Sequence, residues 1–322
     1  MSGVGYEFGY YGLGWIAADR RMMRTVGRCR EIEQLAREKW HTKRLDTENS
    51  IAVIVDDVVT YYSSQTSPIH NIALKFQIPE FYHTGVGMDT YLLEDIDKMP
   101  EYKCYIFLNA FHITAAQQEF IMKNLCGKGK VLAFAYATGV AGDDGITPSK
   151  VQEITGIKMD VLEKVALNEF KYVKNDAPAG KYLKVGKIFG SRQKLGPVFV
   201  PREGTVLANM TDGNTPALVV KPFPNHTVCY TSIPGGFSTD MLKGLAELAG
   251  ITIINQNSQD CTYVSDNMFA VHTRNGGRRV FNVPPKYTKK ATELFTLKEF
   301  PIKDGKFEYS MEPISTALFL ME

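Results

Sequence analysis

No apolar run in this 322-residue chain is long enough to span a bilayer, and no basic-then-apolar signal opens it. The expectation is a soluble, cytoplasmic protein with no membrane partner. Charge of one sign is equally lacking: 37 Lys and Arg against 35 Asp and Glu leave a formal net charge of +2, so nothing points to nucleic acid or an anionic surface. Cysteine is sparse, and Cys29, Cys104, Cys126, Cys229 and Cys261 form an odd set without close pairing. Four of them sit in or beside apolar segments, which favours free thiols over a disulfide framework or a zinc site. The six histidines have no metal-ligand spacing, and no GxGxxG or phosphate-loop pattern occurs. No cofactor and no metal is therefore expected. Without a secretory signal, the sequons at Asn209 and Asn225 carry little weight.

What is present is organised around residues 101–145. Two buried-strand signals, 105–108 and 131–135, flank a helical segment carrying Phe120, Ile121, Leu125 and the flanking Ala115 and Ala116. Short apolar strands alternating with helices predict a mostly parallel sheet with helices on both faces, whose ligand sites lie beyond the carboxyl ends of its strands. Those ends are Asn109-Ala110-Phe111-His112 and Tyr136-Ala137-Thr138-Gly139.

Before this unit lie an aromatic, glycine-rich stretch at 6–15 and a long helix over about 18–39, begun near Asp19. Its stripe of Met22, Met23, Val26, Cys29, Ile32 and Leu35 is only partly clean, and six arginines spread around it. That basic face reads as solvated surface, with docking to an acidic partner as the alternative. A first strand at 51–55 ends in Asp56-Asp57, which point to opposite faces, so at most one carboxylate faces any given pocket. Beyond 168 the pattern shifts to short β-runs, with a hairpin over 217–233. In the all-β tail, Arg274-Asn275-Gly276-Gly277 predicts a second hairpin between 269–273 and 278–283. Further short runs suggest a small antiparallel β-sandwich.

Chemistry is hard to find. A class I glutamine amidotransferase needs a cysteine on the strand-to-helix turn, and the turn at 135–139 has none. His112 beside Asn109 is the best polar cluster, and Asp143-Asp144-Gly145 is an acidic turn that could also hold a cation.

The runs IAVIVDD, FYHTGVGMDTYLLEDIDKMPEYKCYIFLNAFHITAAQQEFI and GKVLAFAYATGVAGDDG resemble the trimerisation domain of β-galactosidase-type glycoside hydrolases. That resemblance implies an α/β, flavodoxin-like domain with the class I glutamine-amidotransferase fold but without its catalytic residues. Gly14-Trp15 and the helix after it are similar to the end of the preceding (β/α)8 barrel, and the tail is similar to the small C-terminal β-domain. The implied division is 1–45 as barrel remnant, 46–252 as trimerisation domain and 253–322 as β-domain. On this resemblance the catalytic glutamates belong to earlier barrel strands, so no position here inherits them, Glu7 included.

Two function classes remain open. One is a non-catalytic assembly module forming a homo-oligomer, with a trimer as the implied number, alongside a catalytic barrel on the same or another polypeptide. The other is a stand-alone carbohydrate-binding protein or hydrolase using a strand-end crevice of Asn109, His112, Tyr136 and Thr138. Trp15, with Tyr6, Phe8, Tyr10 and Tyr11, could add a sugar-stacking surface or be barrel core.

Overall fold

The computed structural model describes residues 19–43, 46–64, 67–142 and 145–322. They divide into two compact units: Thr47–Ile253, and residues up to Asp46 together with Ile254–Glu322. The aromatic stretch at 6–15, including Trp15, and the Asp143-Asp144 pair lie outside the described residues.

A long helix, α1 (Arg20–Glu38), precedes strand β1 (Ser50–Val55). The crossover to β2 (Gly87–Leu92) holds a 3-10 turn (Val58–Tyr62), a π turn (Asn71–Lys75) and the short helix α2 (Ile78–Tyr82). Strand β3 (Cys104–Phe107), helix α3 (Ala115–Phe120) with its π turn (Ile121–Leu125), and β4 (Lys130–Ala135) form the expected strand–helix–strand unit. Two-residue strands β5 (Ala141–Gly142) and β6 (Gly145–Ile146) and helix α4 (Lys150–Thr155) follow. The chain then becomes β-rich: β7 (Met159–Leu162), β8 (Ala166–Tyr172), β9 (Ile188–Leu195), β10 (Val198–Pro201), β11 (Thr205–Met210), β12 (Pro216–Pro222) and β13 (His226–Thr231). Helix α5 (Thr239–Leu248) is the last helix of this unit.

Nine strands make one sheet in the order β2, β1, β3, β4, β13, β12, β11, β8, β9. The first five run parallel, and the last four extend them through antiparallel pairs. The fold is mixed α/β. Continuous apolar strands require cover on both faces, and alternate residues find it. Ile51, Val53, Ile106 and Ala133 pack in one cluster with Phe81 of α2 and with Met241, Leu242 and Leu245 of α5. Ala52, Ile54, Phe107 and Phe134 pack in the other with Ile121, Leu125, Val151 and Ile154. Phe107 and Phe134 stack at 4.7 Å, and fully burying one such ring contributes about 1.5–3 kcal/mol. Thr114 and Gln117 cap α3 reciprocally, while Ala115 and Ala116, expected on the apolar side, face solvent. The β12–β13 pair is the predicted hairpin, with Leu218 opposite Thr231.

In the second unit, strands β14 (Cys261–Val264), β15 (Met268–Thr273), β20 (Ser315–Met321), β17 (Lys290–Glu293) and β18 (Glu299–Pro301) form a five-stranded sheet in that order. Strands β16 (Gly277–Asn282) and β19 (Lys306–Met311) form a separate antiparallel ribbon. The predicted hairpin across Asn275-Gly276 is therefore not formed: β15 pairs with β14 and β20, and β16 pairs with β19. The glycines do turn the chain, at φ of 61° and 95°, but they carry it from one sheet to the other. Phe269 and Phe281 then meet across the core at 5.2 Å, joined by Phe307 and Phe319. A β-turn signal specifies the bend; burial of these rings selects the partner strand.

Helix α1 belongs to this same unit. Asp19 caps it through the Arg21 and Met22 amides. Only its second half is anchored: Ile32 and Ala36 pack with Met268, Leu294 and Leu320, and Arg28 donates to the Leu294 carbonyl at 2.8 Å. Met22 and Met23, expected on the apolar stripe, are 44% and 41% exposed. Among the described residues no helix is long and apolar enough to cross a membrane.

Candidate functional site

The carboxyl ends of β1, β3 and β4 come together as the parallel sheet requires. Asn109, just past β3, is buried, and its side chain spans to Asp56, just past the end of β1. Its Nδ2 donates to the Asp56 carbonyl at 2.7 Å, and its Oδ1 accepts from the Asp56 amide at 2.9 Å. The amide thus extends the β1–β3 ladder by one step. Both ends of this amide are engaged by backbone.

Asp56 is the acid of the pair that faces inward, 4% exposed, while Asp57 is exposed. Its Oδ1 accepts from the Val58 amide at 3.0 Å, and its Oδ2 is buried without a hydrogen-bond partner among the described residues. Burial pushes this carboxyl above its ordinary range, opposed by the Val58 amide and by neighbouring His112. His112 stacks its ring on Tyr62 at 4.9 Å and 11°, and its backbone bridges to Ala141. Tyr62, Asp56 and His112 therefore make one cluster. Next to Tyr62, Ser63 Oγ is in hydrogen-bond contact with His70 Nε2, but His70 Nδ1 is buried with no partner among the described residues.

The turn after β4 leads toward β5 through a positive-φ residue. Tyr136 sits there at φ 55°, a strained value for a side chain other than glycine. Its ring is buried, edge-on to Phe111 at 6.0 Å and Phe199 at 5.5 Å, and its hydroxyl donates to the Pro197 carbonyl at 2.9 Å. Burial raises the phenol well above its ordinary value, so it stays protonated. Thr138 is fully buried and donates to the Ala135 carbonyl at 3.0 Å. Gly139 and Ala141 donate to the Ala110 and Phe111 carbonyls, both at 2.8 Å, tying the two turns together.

The crossover between β1 and β2 is held beside the β13 end of this edge. Gln77 brackets Phe237, accepting from its amide at 3.1 Å and donating to its carbonyl, and Glu80 accepts from the Thr239 amide at 2.6 Å. Cys104 and Cys229 are fully buried, and burial pushes Cys104 up to about 12. Of the residues singled out by sequence, Asn109 and His112 both meet Asp56, whereas Thr138 turns into its own loop and Tyr136 reaches the Pro197 carbonyl. Trp15 lies outside the described residues. The Asp56–Asn109 bracket and the Tyr62–His112 stack escaped sequence reading, and only the strand-end position of Asp56 hinted at the first. Among the described residues no group of three or more His, Cys, Asp or Glu is placed to hold a metal ion.

The strands and their ends define a mixed α/β unit in which an aromatic residue, Tyr136, fills the turn after β4. No family model and no curated protein sequence matches the chain. Solved structures do resemble it. The β-galactosidase from Bacillus circulans sp. alkalophilus is 17% identical with a TM-score of 0.61, over 85% of this chain and 41% of that enzyme. The β-galactosidase from Rahnella sp. R3 is 13% identical with a TM-score of 0.64, over 94% and 45%. That from the psychrophilic Marinomonas ef1 is 13% identical with a TM-score of 0.52, over 91% and 41%. The chain spans less than half the length of these enzymes, and at such identities the likeness is one of fold.

Proposed function

We propose that this chain is the non-catalytic assembly part of a β-galactosidase-like glycoside hydrolase. On this reading residues 46–252 are a trimerisation domain of class I glutamine-amidotransferase-like fold, residues 1–45 are the end of a barrel, and 253–322 are a C-terminal β-domain. Bond cleavage belongs to a barrel carried elsewhere on the same or another polypeptide. The observation that carries the reading is Tyr136: in the positive-φ turn that follows β4, a packed, hydrogen-bonded phenol stands where an amidotransferase would need its thiol. Light scattering on the eluting protein together with a β-galactosidase assay tests the proposal. A homo-oligomer, with three copies expected, and no turnover supports it; a monomer overturns it.

A second reading has one observation in its favour, the buried Asp56 carboxyl beside His112, whose Oδ2 has no hydrogen-bond partner among the described residues. In that case the edge binds a carbohydrate or hydrolyses it. Turnover by the purified chain that His112→Ala abolishes would establish this reading and remove the first.

A further inference from the structure

The turn Arg274-Asn275-Gly276-Gly277 carries the chain from β15 to β16, and it contains the one Asn-Gly pair in the sequence. Glycine is obligatory at the second position of that pair. Gly276 has a φ of 61°, and a Cβ built on it would lie 2.6 Å from the Pro313 nitrogen and 2.7 Å from the Met311 carbonyl oxygen. Packing against the end of β19 thus fixes, next to an asparagine, the residue whose backbone nitrogen has the least steric cover. Asn275 itself is exposed, so water and hydroxide reach its side chain.

Two hydrogen bonds bear on what this pair can do. The Gly276 amide donates to Thr273 Oγ1 at 3.3 Å, a long bond to an oxygen that also accepts from Arg279 Nη2 at 3.0 Å, so the backbone nitrogen is weakly held. Asn275 Nδ2 donates to Gln259 Oε1 at 2.8 Å, which tethers the side-chain amide to a neighbouring exposed residue. The other asparagines that precede a small residue are protected differently. Asn49 and Asn109 are buried, and Asn257 Oδ1 is occupied by the Gln259 amide at 3.0 Å.

We propose that Asn275 is a site of spontaneous deamidation and that Gln259 sets its rate. The Gly276 nitrogen gives its proton to hydroxide and bonds to Asn275 Cγ; the Cγ–Nδ2 bond then breaks, and Nδ2 leaves as ammonia with a proton supplied by water. A second water opens the cyclic imide at either carbonyl, which leaves aspartate or isoaspartate. Nothing is oxidised or reduced, and the net change is one water consumed for one ammonia released. Both products add a negative charge to the turn, and isoaspartate also lengthens the main chain by one carbon between the two sheets. The site is independent of the assembly reading, because every residue involved belongs to the unit containing Ile254–Glu322. Peptide mapping by mass spectrometry of the full folded chain, aged at pH 8 and at pH 7, tests it. The mass gain of an amide-to-acid exchange should accumulate at Asn275 ahead of Asn49, Asn109 and Asn257, and about tenfold more slowly at the lower pH, because the attacking nitrogen must first lose its proton. Gln259→Ala, at an exposed position, should leave the melting midpoint in place and speed the reaction about fivefold, the scale of one neutral hydrogen bond. Asn275→Gln should stop it, since attack would then have to close a larger ring. No conversion at Asn275, a rate that does not change with pH, or an unchanged rate in folded Gln259→Ala would overturn the proposal.

Discussion

Asn109→Ala isolates the strand-end bracket. The side chain occupies both backbone valences of Asp56, at 2.7 and 2.9 Å, in a site where both residues are buried. Truncation leaves a buried amide and a buried carbonyl unpaired, at about 1–3 kcal/mol each, or about 2–6 kcal/mol together. A surface asparagine would cost within about 0.5 kcal/mol. Urea unfolding followed by far-UV circular dichroism measures the difference, with the slope m unchanged if the unfolded state is unaffected. Asn109→Asp adds a second test, because a carboxylate can still accept from the Asp56 amide but cannot donate to its carbonyl. At pH 7 it also places a second negative charge beside Asp56, so the loss should be at least that of Asn109→Ala. Protonation restores the donor, so the introduced carboxyl has a folded pKa above the unfolded value of about 3.9. Its deficit is full above the folded pKa and shrinks as pH falls toward 4. A loss below about 1 kcal/mol for Asn109→Ala, or a pH-independent deficit for Asn109→Asp, would refute the bracket.

Three further outcomes follow from the same geometry. Asp56→Asn keeps the acceptor for Val58 and removes a buried charge; its folded pKa is raised, so the wild-type penalty is full at neutral pH and vanishes as pH falls through that value toward about 3.9. The variant should be no less stable than wild type at pH 7 in urea unfolding, and lose that advantage in acid. Tyr136→Gly should be about 1 kcal/mol more stable than Tyr136→Ala, the reverse of the usual order, because only glycine accepts φ 55° without strain. Thermal melts of the pair decide it. In the β-unit, Asp260 is fully buried and receives Arg279 through bonds of 2.7 and 3.0 Å; Asp260→Ala should cost about 3–5 kcal/mol by orphaning the guanidinium. Its carboxyl is held below the usual range, so this contribution is present above about pH 3.9 and is lost as pH falls through the folded value. Hydrogen exchange of the β14–β16 amides between pH 6 and 3 should report that loss.

Much of the α/β unit was legible. The runs at 51–55, 105–108 and 131–135 contain enough consecutive apolar residues to demand two covered faces, and the helix between the last two supplies Ile121 and Leu125 to one of them. The hairpin at 216–231 was legible because two β-rich runs flank a short proline- and asparagine-bearing turn. At Asn275-Gly276 the same kind of signal misled, since glycine records the backbone angle and not the strand across the turn. The apolar stripe of α1 overstated burial at Met22 and Met23 because a helix buries only the length that a neighbour covers.

The residues alone placed the strands at 51–55, 105–108 and 131–135, the start of α1 near Asp19, and the absence of a cysteine from the turn at 135–139. Those properties depend on neighbours within a few positions along the chain. Tertiary structure decided that Asn109 is consumed by a residue 53 positions away, that Tyr136 turns inward onto Pro197, and that four phenylalanines send β15 and β16 to different sheets. Hydrogen bonds and burial between distant segments exist only once the chain has closed, so no local pattern encodes them.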